Sequence, residues 1–219
     1  YLVLAEVFFL LDEYDEANRY LPDAKRLNKN STELQILEAR INIGLGRLSE
    51  AEDIFTDVLL KEPNNIEAQF GLGELLAAEG KPELAGRQYR DALRISPENR
   101  KALLSLAILY DNLGEMQSAR NYINSALRYH ANSALVHVIA GRHFLKTGEL
   151  EKAQSHAHTA LSIDNGNKEA ILLLSKVHFT KDQFEAAIAL SEQLLSEERG
   201  NTQAWYIKGL SHASLEQVD

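Results

Sequence analysis

An all-α array of antiparallel helix pairs is the fold class this sequence predicts, and three observations predict it. Alanine recurs at Ala17, Ala51, Ala85, Ala119, Ala153 and Ala187, always 34 residues apart. A second column of small residues, Ala5, Ala39, Gly73, Ala107, Gly141, Ser175 and Gly209, keeps the same register with no insertion. The composition is 45% hydrophobic with many Ala and Leu, four Pro and 7% aromatic residues, which fits an all-helical chain. With this period no unit buries its own apolar face, and stacked neighbours supply a long, thin core.

The block from Asn65 to Pro97 shows the elements in order. Phe70, Leu72, Leu75 and Leu76 form a stripe at helical spacing, Gly80 closes that helix, and Pro82 suits the first turn of the next. Pro97 ends the pair. Gly73, Ala85 and Ala92 alternate with Leu72, Tyr89 and Leu93, so two helices can cross closely and interlock. The turn glycine recurs as Gly46, Gly114 and Gly148, with Asp182 in its place in the sixth block. Ala131 and Asn165 replace the closing proline, and Glu38 and Lys208 enter an otherwise apolar column. Helix pairs are expected at about 1–29, 32–62, 66–96, 100–130, 134–164 and 168–198, with a last helix near 202–215. Pro22 falls inside the second helix and has no N–H to donate, so a kink or break is expected there.

Period, small-residue columns and turn glycines together resemble the tetratricopeptide repeat family over essentially all 219 residues. The resemblance implies a right-handed α-solenoid of six repeats plus one extra helix, forming a single superhelical domain over 1–219. The chain starts inside a first helix and stops before the seventh pair is complete, and reads as a fragment of a longer protein.

Other function classes find little support. A net charge of −9 disfavours a phosphate-binding surface, since nucleic-acid affinity rests on cationic contacts. With no cysteine there is neither a disulfide nor thiol chemistry, and cytoplasm, periplasm and cell envelope all stay open. The apolar run near Ala5 to Leu11 is too short for membrane insertion. All seven histidines lie between His130 and His212, but His156 and His158 sit two apart on a helix and point to different faces, and His137 and His143 are six apart. No metal site is expected; His178 and His212 share a column where the family packs an aromatic residue. Gly71-Leu72-Gly73 lies in a helix pattern with no preceding strand and is a packing feature, not a nucleotide loop. No catalytic triad or paired-acid motif occurs, so neither an enzyme nor a cofactor is expected.

In the family the first helices line the concave side, and three of their columns carry the functional reading. One rail is Leu2, Ile36, Phe70, Leu104, Val138, Leu172 and Tyr206; a second is Phe9, Ile43, Ala77, Asp111, Leu145, Phe179 and Ala213. Between them runs Glu6, Arg40, Glu74, Ile108, Arg142, Lys176 and Leu210. Family members that clamp a C-terminal carboxylate carry Lys, Arg and Asn where this chain has Leu, Ile and Phe, which disfavours that mode. The expected function is a non-enzymatic scaffold holding a peptide or amphipathic helix of a protein partner. The expected groove residues are Phe9, Ile36, Arg40, Ile43, Phe70, Glu74, Leu104, Val138, Arg142, Leu145, Leu172, Lys176, Phe179 and Tyr206. In a second reading, the Leu2-to-Tyr206 rail is consumed in packing each first helix on its neighbour. Alternative roles are a regulatory or substrate-recruiting segment of a larger enzyme or of a bacterial cell-envelope or polysaccharide-export assembly, and self-association through the terminal repeat.

Overall fold

The structure is a computed structural model and describes residues 1–28 and 31–218. The expected boundary at 29 and the terminal Asp219 lie outside the described residues. Thirteen α-helices and no strand occur among the described residues. The first helices of the pairs are α1 (Leu2–Leu10), α3 (Thr32–Gly44), α5 (Ile66–Ala78), α7 (Arg100–Asn112), α9 (Ala134–Lys146) and α11 (Lys168–Thr180). The second helices are α2 (Tyr14–Leu27), α4 (Leu48–Lys61), α6 (Pro82–Ile95), α8 (Met116–Tyr129), α10 (Leu150–Ile163) and α12 (Phe184–Glu197). An unpaired α13 (Thr202–Val218) follows. Two compact units result, one from Tyr1 to Leu106 and one from Ala107 onward.

Each turn within a pair uses one left-handed residue. Gly46, Gly80, Gly114 and Gly148 have φ of +74°, +74°, +78° and +77°, a region open to glycine at no steric cost. Asp12 and Asp182 adopt the same conformation at φ 59° and 57°, so the turn survives the loss of glycine. The residue after the turn donates back into the helix, as in Lys81 N to Leu76 O at 2.9 Å and Gln183 N to His178 O at 2.9 Å.

Turns between pairs carry a further device. Ser31, Asn65, Asn99, Asn167 and Asn201 each accept the backbone N–H three residues on, at 3.0 to 3.1 Å, capping the next first helix. Asn65, Asn167 and Asn201 also donate to Glu62, Asp164 and Glu198, tying the end of one pair to the start of the next.

Pro22 does not break α2, which runs uninterrupted from Tyr14 to Leu27. Its ring lies on an exposed position while Leu21 and Ala24 are buried, so the anchored face holds the helix together despite the missing donor.

In the first unit Ala5, Ala17, Leu21, Ala24, Leu34, Leu37 and Ile41 join α1, α2 and α3 in one core. Phe55, Val58 and Leu75 continue it, and a Cβ at Gly71 would overlap the Phe55 ring. In the second unit Ile171, Leu194, Leu195 and Ala204 join α11, α12 and α13. All six alanines of the 34-residue column are completely buried. A Cβ on Gly73 would stand 2.5 Å from the Tyr89 ring, and one on Gly141 2.5 Å from Leu173, which is why those crossings take glycine. Ser175 solves the same problem differently: its hydroxyl donates to the Ala187 carbonyl at 3.0 Å and pairs with Ser191 at 2.8 Å.

Candidate functional site

Two of the open cavities, one from each unit, are lined mainly by first helices. That of the first unit measures about 640 Å³. Phe9, Arg40, Ile43, Phe70 and Glu74 line it, five of the residues expected from the sequence. Tyr14, Gly44, Ala78 and Lys101 complete the wall. Tyr14 lies flat against the position a Gly44 Cβ would occupy and anchors its hydroxyl on Asp12 at 2.6 Å. Phe70 packs its ring 5.5 Å from that of Tyr89, and Lys101 sits 5.7 Å from the Phe70 centroid. Glu74 is exposed as a residue, yet partial desolvation pushes its carboxyl pKa up, against the pull of Arg40 and Lys101.

The cavity of the second unit measures about 370 Å³. Arg142, Leu145, Leu172 and Lys176, four more of the expected residues, line it with Lys146, Glu169, Leu173 and Gln203. Arg142 pairs with Glu169 at 3.3 Å, and Lys176 donates to Gln203 at 2.6 Å. Lys146 donates to the Asp111 carbonyl. Burial first, then the neighbouring Arg142 charge, pushes the Lys176 pKa down.

The two cavities are repeat equivalents. Three repeats beyond Arg40, Ile43, Gly44, Phe70, Glu74 and Lys101 stand Arg142, Leu145, Lys146, Leu172, Lys176 and Gln203. The same backbone positions therefore build both, and the side chains alone set their chemistry.

The remaining expected residues lie elsewhere. Ile36, Leu104 and Val138 are 3%, 5% and 0% exposed, against 8% for Phe70, and Ile36 borders a separate, polar opening with Ser31, Glu33 and Glu62. Val138 is packed against Ala160 and Ala170 of α10 and α11. At these positions the rail is consumed between helices. Phe179 packs its ring 5.8 Å from that of Phe184, and Tyr206 is 68% exposed on α13. Sequence columns did not bring out Tyr14, Gly44 or Lys101; a glycine at the end of α3, two residues before the turn glycine Gly46, was the available signal.

The histidines divide by helix face. His158 is exposed, whereas His156 is half-buried and stacked on Phe144 at an interplanar angle of 3°. His137 Nε2 donates to the Ala131 carbonyl at 2.8 Å, which makes its Nδ1 the acceptor from His156 Nδ1 at 2.9 Å. His143, wholly buried, donates to Asp111 at 2.7 Å. His178 pairs locally with Gln183 at 2.6 Å.

No helix among the described residues is long and apolar enough to cross a membrane. One family model, described as a tetratricopeptide repeat, matches residues 76–140 and 144–210; a second of the same description matches 36–100. No curated protein matches the sequence. Among solved structures, the chain is similar to one in the Cut9-Hcn1 hetero-tetramer of the APC/C, at a TM-score of 0.80 and 17% identity, over 98% of this chain and 42% of that one. It is similar to PilW, a type IV pilus biogenesis factor, at 0.79 and 18%, over 94% and 96% of the two chains. It is also similar to YrrB, a repeat protein with an unusual peptide-binding site, at 0.61 and 19%, over 86% and 97%. Helix pairs in a fixed register, buried small residues at every crossing and family models spanning most of the sequence converge: the chain belongs to the tetratricopeptide repeat family, whose fold supports protein–protein interaction and is typically non-enzymatic.

Proposed function

We propose that this protein is a non-enzymatic scaffold that holds a peptide or amphipathic helix of another protein against its first helices. The observation that carries the reading is the cavity of the first unit, an open apolar recess walled by Phe9, Tyr14, Ile43 and Phe70 and bordered by Arg40, Glu74 and Lys101. A bulky aliphatic or aromatic side chain of the partner fills the recess, and the border charges fix its register. Full burial of one such side chain is worth about 1.5–3 kcal/mol, roughly a tenfold to hundredfold change in dissociation constant. Ile36, Leu104 and Val138 contribute by holding neighbouring helices in place, and Phe179 and Tyr206 lie outside both recesses.

The test is selection from a displayed library of short peptides, followed by fluorescence anisotropy with the selected sequences. Ile43→Asp should weaken binding at least about tenfold while the circular dichroism spectrum is unchanged. Equal affinity of variant and parent, or failure to select any peptide, would remove this cavity as the site.

A further inference from the structure

We propose that the cavity of the second unit recognises an aspartate or glutamate side chain of the partner segment, seated beside an apolar residue that packs on Leu145 and Leu172. The inference rests on the reading that these recesses accept partner side chains, and it adds what this one selects. Repeat equivalence supplies the comparison: where the first unit has Arg40, Glu74 and Lys101, the second has Arg142, Lys176 and Gln203, so the central anion has become a cation while a rim cation has become a neutral amide. Lys146 replaces Gly44, adding a third cation at the rim.

Compensation within the cavity is incomplete. Among the described residues Glu169 is the one acid lining it; it takes Arg142, and both side chains stay half-exposed at 55% and 51%. Lys176 and Lys146 hydrogen-bond neutral oxygens, of Gln203 and Asp111 respectively. Lys176 is thus a partly desolvated cation facing Arg142, and its charge is disfavoured as the site stands. An incoming carboxylate relieves that repulsion and gains charge-assisted hydrogen bonds. The leucines beside the cations, in a chain of net charge −9, favour a peptide carboxylate over a polyanionic nucleic acid.

The experiment uses the whole chain and two end-blocked fluorescent peptides of identical Leu-rich amphipathic design, one with Glu and one with Gln at its polar positions. The Glu peptide should bind about tenfold more tightly, and Lys176→Glu, which places an acid beside Arg142 as Glu74 stands beside Arg40, should erase the difference. The converse Glu74→Lys should increase the preference by installing a second cationic recess. If both peptides bind equally well to the parent, or if Lys176→Glu leaves the preference intact, the assignment is wrong while the scaffold reading stands. If neither peptide binds and library selection also fails, both are wrong. Displacement of the Glu peptide by inorganic phosphate at equal concentration would also overturn the proposal, because the recess would then be a general anion site.

Discussion

Asp182 occupies the left-handed turn position that glycine fills in four other repeats. An L side chain there costs roughly 1–2 kcal/mol, and aspartate recovers part of it through local hydrogen bonding. Asp182→Gly is therefore expected to raise stability by up to about 1 kcal/mol, measured by urea unfolding. At Asn65 one side chain both caps α5 and holds Glu62, and Asn65→Ala should cost about 1 kcal/mol in the same assay. His156 gives a pH handle. Burial, then the proximity of His137, lowers its pKa from 6.5 to about 4. A group depressed on folding contributes stability that is complete above its unfolded pKa and is lost as the pH falls toward the folded value. The thermal midpoint should drop between pH 6.5 and 4, and His156→Phe, which keeps a ring against Phe144, should flatten that dependence. The histidine pair was illegible in the sequence because its members lie 19 residues apart on adjacent helices, at positions without a repeating partner.

The helices themselves were legible because their rules repeat. The alanine and small-residue columns reported the crossings, and Gly73 is required there because Tyr89 fills the space a Cβ would need. Gly73→Val should destabilise by about 1–3 kcal/mol through overpacking. Of the kink or break expected at Pro22, the break does not occur. A break follows if the missing donor alone is weighed, whereas burial of Leu21 and Ala24 keeps α2 helical around an exposed ring. The defect still carries its energy, so Pro22→Ala should stabilise α2 by up to about 3 kcal/mol, with a higher denaturation midpoint and little change in helicity.

Across the whole molecule, the period and the family were written in the sequence, and the sharing of apolar columns between core and surface was not. Helical periodicity places Ile36, Phe70 and Val138 on one face, but it does not say whether the next helix covers that face. Phe70 reaches a recess, while Val138 is sealed by two alanines. Equivalence of the two recesses emerges only when lining residues from separate helices are aligned by repeat. Everything proposed above requires that partner segments dock on first helices at these recesses. Hydrogen–deuterium exchange of the full chain, with and without a saturating library-selected peptide, tests this most directly. Slowed exchange is expected in α3 and α5 around Ile43 and Glu74, with α4 and α6 unchanged; protection confined to α4 and α6 would place docking on the second helices instead.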